Sequence, residues 1–343
     1  MEEAVGTTRS ALSVLRGQAE TLRCILQKLR EGESRESHEE FDQKHFWDLL
    51  GQTFQATSHE ATKLSLAFSS SPSPSAEECQ KLSESLQNAV LAAVSTFYRL
   101  PKSQGVTLRK TVRDATAEVV DGTIQLTEVI LKTPLESISR EQLMSTGGVW
   151  EACELVTNLP RDNHAAVLAV FSSYLGIVKD ALEEMEQALE DDTDPFADIL
   201  EDEELGARGN RDTYWSDADR QIHAPCMGLM KSSKACLKKV ITALKAHGTA
   251  DTQEHVAQLD DLADIANEIS PSVDDLALSM YPPMNHLPVR LNAAKLASVL
   301  KKFLEIAKAS HICPESEAGW VTFLDGAVDH NMNKIKELTQ HDL

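Results

Sequence analysis

Residues 163–189 read NHAAVLAVFSSYLGIVKDALEEMEQAL, and one face of that stretch decides the fold class. Leu168, Phe171, Leu175, Val178, Leu182, Met185 and Leu189 recur in alternating steps of three and four, the period that lines side chains in one stripe along an α-helix. A half-buried strand would instead alternate by two. Asn163 is placed to cap the helix. A stripe of this kind has to be buried against other helices, because an isolated helix gains too little from propensity alone.

The same step recurs on both sides. Upstream it runs Leu12, Leu15, Ala19, Leu22, Leu26, Leu29, and then Trp47, Leu50, Phe54, Thr57, Ala61, Leu64, Phe68 up to the breaker Ser-Ser-Ser-Pro-Ser-Pro at 69–74. Ser75 with Glu78 three residues on predicts a capping box for the stripe Cys79, Leu82, Leu86, Ala89, Ala93. Next come Leu108, Val112, Ala115, Val119, Leu126 and Val129, with Gly122 on the seam, where a neighbouring helix is expected to approach closely. Gly147-Gly148 and Pro160 read as breakers, which leaves one short helix over 149–156. Downstream, Ser216-Asp217 opens a helix carrying Leu229, Cys236, Val240 and Leu244. Leu259, Leu262, Ala266, Ile269, Val273, Leu276 and Met280 hold register through Pro271, as a proline restart or a kink would. Leu296, Val299, Phe303, Ile306 and then Val321, Leu324, Val328, Ile335, Leu338 mark the last two helices. Heptad-like steps in long helices predict an all-α fold of antiparallel helical bundles, with axes crossing at roughly 20°.

At 343 residues the chain exceeds what one core usually holds, and only 5% of its residues are aromatic. No Lys or Arg occurs between Lys179 and Arg208, while Glu190-Asp191-Asp192 and residues 201–204 crowd carboxylates together. The expected organisation is an N-terminal bundle over 1–190, an acidic linker over 191–213 and a C-terminal bundle over 214–343. A net charge of −21 disfavours direct nucleic-acid binding. Cys24, Cys79, Cys153, Cys226, Cys236 and Cys313 lack paired spacing and are expected to be reduced and mostly buried. With no basic-then-apolar leader and no uninterrupted apolar run near 20 residues, no membrane segment is expected, and the compartment is read as cytoplasmic and nuclear.

Four features bear on chemistry. Asp260-Asp261-Leu262-Ala263-Asp264 matches the Asp-Asp-x-x-Asp motif with which all-helical terpenoid enzymes hold magnesium and diphosphate, which would make a metal-dependent enzyme of Asp260 and Asp264. Because Leu259, Leu262 and Ala266 define the seam, however, these aspartates are predicted to face outward. His311 with Cys313, and Cys226 with Cys236, lack the spacing that closes a tetrahedral metal site. No phosphate-cradling loop or nucleophile motif is present, so the expectation is a non-enzyme with no cofactor, catalytic residue or metal ligand. Lys231, Lys234, Lys238 and Lys245, with Lys239 beside them, form a cationic stripe that could dock an acidic partner; the ordinary alternative is a solvated face balanced by the acidic helix at 260–275. Ser216, Ser71 and Ser73 stand in kinase-compatible contexts, and helix capping or chain reversal explains the same residues.

Longer segments carry a resemblance. LPKSQGVTLRKTVRDAT at 100–116, LPRDNHA at 159–165, VKDALEEMEQA at 178–188, SSKACLKK at 232–239 and AQLDDLADIANEISPSVDDLALSMYPP at 257–283 resemble the cyclin-D-binding family, also described as Grap2 and cyclin-D-interacting, in a mammalian form. The resemblance implies helical bundles in the style of vinculin and talin modules, and restraint of cell-cycle progression through D-type cyclins and their kinase. It also implies contact with a Grap2-type signalling adaptor and pairing with helix-loop-helix transcription factors, without a DNA-contacting region. No helix here follows an Arg/Lys-rich segment able to enter a major groove. A cytoskeletal helical-bundle adaptor is the alternative of a different class.

Overall fold

The computed structural model describes residues 2–31, 41–69, 72–132, 139–191 and 215–340, and every regular element among them is helical. The chain forms two compact units, residues 1–162 and 163–343.

The first unit contains α1 (Glu2–Glu31), α2 (Gln43–Ala67), α3 (Ala76–Tyr98), α4 (Val106–Lys132) and α5 (Arg140–Glu154). α1 packs on α3 and α4, α2 on α3 and α5, and α4 on α5. The stripe of α2 is wholly buried, with Leu50, Phe54, Thr57, Ala61 and Leu64 fully inaccessible. Ser75 and Glu78 form the expected capping box at the start of α3, and the backbone hydrogen bond from Ser75, foremost among several causes, lowers the Glu78 pKa from its ordinary value. At Gly122 a Cβ would lie 3.5 Å from Val149 Cγ2 and 3.6 Å from its Cα, so α4 and α5 do approach closely at that glycine.

α5 differs from the sequence reading: it begins nine residues earlier than expected and runs through Gly147-Gly148 rather than breaking there. The reason is its polar seating. Gln142 Nε2 donates to the Ser65 carbonyl at 2.7 Å, Thr146 Oγ1 to Ser65 Oγ at 2.8 Å and Trp150 Nε1 to Thr62 Oγ1 at 2.8 Å. One residue per turn, four apart, is thus tied to α2 by hydrogen bonds, and an apolar period does not register such a face.

The second unit contains α6 (Asn163–Asp191), α7 (Asp217–His247), α8 (Gln253–Ala266), α9 (Ile269–Ser279), α10 (His286–Ala309) and α11 (Gly319–Leu338). α6 packs on α7, α8 and α9, and supplies Val167, Phe171, Val178, Leu182 and Met185 to the core of this unit. The expected N-terminal boundary at 190 therefore moves: the division falls ahead of α6, and the acidic stretch 192–214 lies outside the described residues. Asn163, 1% exposed, donates to the Val256 carbonyl at 3.4 Å and to Asp260 Oδ1 at 3.0 Å, fixing the start of α6 on α8. An 18-residue window within α6 reaches a mean hydropathy of 1.5, long and apolar enough by composition alone to cross a bilayer, while the same helix supplies Val167, Phe171, Val178, Leu182 and Met185 to the core of its unit.

The stripe across Pro271 resolves as a restart. α8 stops at Ala266, Asn267 and Glu268 turn, and α9 resumes with Pro271 in its first turn, where a missing N–H costs no helical bond.

Candidate protein-interaction surface

α7 is set at its N-terminus by Ser216, whose Oγ accepts from the Asp219 N–H at 3.2 Å while its own N–H donates to Asp219 Oδ2 at 2.9 Å. His286 Nε2 reaches the other Asp219 oxygen at 2.7 Å, joining α10 to the cap. Burial raises the Asp219 pKa, but the hydrogen bonds from His286 and Ser216 outweigh it and hold the carboxyl below its ordinary value. Trp215 is buried ahead of the cap and donates to the Met280 carbonyl at 2.6 Å. Beyond Pro225, which α7 accommodates within its length, Cys226, Leu229, Met230, Cys236, Leu237, Val240 and Leu244 form a fully inaccessible seam.

That seam turns the lysines outward. Lys231, Lys238, Lys239 and Lys245 are exposed and Lys234 is half-buried. Lys231 and Lys245 lie 14 residues apart, so the stripe is about 21 Å long at the helical rise. Lys231 Nζ pairs with Glu186 Oε1 of α6 at 2.9 Å; among the described residues Lys234, Lys238, Lys239 and Lys245 form no ion pair. The counter-charge expected from residues 260–275 is not what meets the stripe. Asp275 instead pairs with Lys295 of α10 at 2.9 Å. Both partners of the Lys231–Glu186 pair are about half exposed, so the pair contributes on the order of 0–1 kcal/mol and leaves a stripe that is cationic in effect.

The other candidates are placed less productively. Asp261 and Asp264 are exposed on α8, whereas Asp260 is half-buried and accepts from Asn163, so the three carboxylates do not converge. Among the described residues no group of three or more His, Cys, Asp or Glu could hold a metal ion. His311 Nε2 accepts from the Thr249 N–H at 3.2 Å and its Nδ1 faces Gln258 Oε1 at 2.8 Å, an arrangement that fixes the Nδ1-protonated neutral tautomer and commits both nitrogens. Its ring stacks on His255 with centroids 4.0 Å apart; burial, then the His255 charge, pushes the His311 pKa down. Cys226 and Cys236 are inert thiols, pushed up to about 12 by burial, and Cys24 is the exposed cysteine. Ser216 is committed to its cap, Ser73 precedes α3, and Ser71 lies outside the described residues. The sequence reading missed Glu186 as a partner of Lys231 and the His255–His311 stack, since neither follows from periodicity along a single helix.

Two compact units whose regular elements among the described residues are all helices define a protein of the helical-bundle class. The comparisons narrow that class. The N-terminal family model described as Grap2 and cyclin-D-interacting matches residues 49–191, and the corresponding C-terminal model matches 167–305. The cyclin-D1-binding protein 1 homolog of Xenopus laevis is 64% identical over 326 residues, covering 95% of this chain and 98% of the relative. The Danio rerio homolog is 50% identical over 99% of both chains, and human cyclin-D1-binding protein 1 is 48% identical over 99% of this chain and 97% of the relative. This chain belongs to the Grap2 and cyclin-D-interacting family. A mammalian form was expected from the quoted segments; the frog relative is more similar than the human one, which corrects that part of the reading.

Proposed function

We propose that this chain is a non-enzymatic interaction regulator that binds a D-type cyclin and helix-loop-helix transcription factors, and thereby restrains cyclin-dependent kinase activity and cell-cycle progression. The observation that carries the reading is similarity over nearly the whole chain to relatives named for binding cyclin D1. The α7 lysines, exposed at Lys231, Lys238, Lys239 and Lys245 and with one ion pair among the described residues, support recognition of an acidic surface on the partner. A Grap2-type adaptor is a further proposed partner, on the family description. The protein acts in cytoplasm and nucleus, by occupying surfaces and without a covalent step.

Phosphorylation is the proposed control. A phosphate on Ser216 would meet the Asp219 carboxylate that now accepts from Ser216, opening the capping box and the His286 contact together. Ser71 and Ser73 are the proposed proline-directed sites.

The test is to titrate the full chain into an active complex of D-type cyclin and its kinase while following substrate phosphorylation and complex formation. Dose-dependent inhibition with a stable complex is expected. Unchanged activity together with no complex at micromolar concentrations would overturn the proposal.

A further inference from the structure

We propose that the groove between α4 and α5 is a docking site for a basic amphipathic helix of a partner protein. The groove has a volume of about 610 Å³ and is walled by Glu118, Asp121 and Gln125 on one side and by Met144, Glu151 and Leu155 on the other. Ala152, Gly122, Gly148 and Ser145 complete its lining, and no lysine or arginine lines it. Three carboxylates therefore rim an apolar floor. Glu118 and Glu151 are exposed and enter no ion pair among the described residues; Asp121 accepts only from the neutral Gln125 amide, at 2.8 Å.

The two glycines do different things. Gly122 lets the α5 backbone come down on α4 at Val149, whereas a Cβ at Gly148 would meet nothing within 4 Å. Packing of the unit does not demand a glycine at 148, and its absent side chain keeps the groove open. Beside it Met144 is 66% exposed and Leu155 is 42% exposed, large apolar groups facing water at the groove itself, as Leu66, Val106, Leu143 and Trp150 do elsewhere on this unit. Methionine repacks readily against a varied apolar partner.

Charge and shape together select the occupant. An acidic rim around an apolar floor favours a cationic ligand with an apolar seam. The wall from Met144 on α5 to Leu155 at its C-cap covers about three helical turns, enough to hold the roughly two turns that i, i+4 and i+7 anchors of a docked helix span. The acidic stretch 190–204 of this chain carries the wrong sign, and a second copy brings a net charge of −21 to a negative rim. This site is independent of the α7 reading.

The probe is a fluorescent synthetic amphipathic helix with leucines at i, i+4 and i+7 flanked by lysines, titrated by anisotropy against the full chain at low and moderate salt. A counterpart with glutamate at each lysine is the control. The lysine peptide is expected to bind at micromolar concentrations, more weakly as salt rises, and the glutamate peptide not to bind. At Gly148 a Cβ meets nothing within 4 Å, so Gly148→Leu should extend into the groove and improve helix propensity; its melting temperature should hold or rise while peptide affinity falls roughly tenfold or more. Glu118→Lys with Glu151→Lys should weaken binding by a similar factor, and Lys231→Glu should leave it unchanged. Equal binding by wild type and Gly148→Leu, equal binding of both peptides, or no binding at high micromolar peptide would each overturn the proposal. So would self-association that Gly148→Leu abolishes, which would make the occupant a second copy.

Discussion

α5 of the first unit and α7 of the second are both amphipathic helices with charged outer faces, and they are held in different ways. α7 is seated by an unbroken apolar seam in which Leu229, Cys236, Leu237, Val240 and Leu244 are fully buried. α5 has a shorter apolar face, Val149, Ala152 and Cys153, and adds to it a hydrogen-bonded ladder, Gln142 and Thr146 on Ser65 and Trp150 on Thr62. An apolar seam is non-directional and strong in aggregate, whereas a polar ladder fixes register but gains only ~0.5–1.5 kcal/mol net per bond. Their outer faces also differ in sign, lysines on α7 and carboxylates beside α5. A net charge of −21 describes neither face, so partner chemistry has to be read locally.

The largest effect should come from the apolar seam. Leu237→Ala, at a fully inaccessible position, is expected to cost about 2–5 kcal/mol in denaturant unfolding. Gln142→Ala removes two hydrogen bonds to Ser65 and should cost less, roughly 1–3 kcal/mol. Equal costs at the two positions would erase the distinction between the helices.

Acid should sharpen the contrast further. The His311 pKa lies below the ordinary value in the folded second unit, lowered first by burial and then by His255 and His164, with the Thr249 hydrogen bond and Glu254 opposing. Its contribution is therefore intact above the unfolded pKa of about 6.5 and is lost as pH falls from there toward the folded value. Thermal melts at neutral and mildly acidic pH should show a drop that His311→Gln reduces; identical pH profiles for the two proteins would contradict the assignment. The smallest effect is expected on the α7 surface. Lys231→Ala breaks the half-exposed pair with Glu186 and should change stability by ~0–1 kcal/mol, so any role of that lysine has to appear in binding rather than in unfolding.

These differences also set what could be read from the residues alone. The apolar stripes of α2 and α6 gave the helical class and most of the buried positions, with Leu168, Leu175 and Leu189 of α6 only partly buried and Ala166 and Val167 buried off the expected stripe. α5 was misjudged because Gln142 and Thr146 look like solvent-facing residues until Ser65 stands opposite them. Packing places α6 with the second unit, while the N-terminal family model runs to 191 and the C-terminal one starts at 167, so both cover this helix; a stripe says that a face is buried and not against what. Likewise the α7 register identified Lys231 as outward but could not name Glu186, 45 residues earlier on another helix.

The most direct measurement is a titration of purified D-type cyclin against the full chain and against its Lys231→Glu, Lys234→Glu, Lys238→Glu, Lys245→Glu variant, each at low and moderate salt. If α7 reads an acidic partner surface, wild-type affinity should fall as salt rises and the variant should bind roughly tenfold or more weakly with an unchanged melting temperature. Wild-type and variant proteins binding alike, with no dependence on salt, would contradict the account.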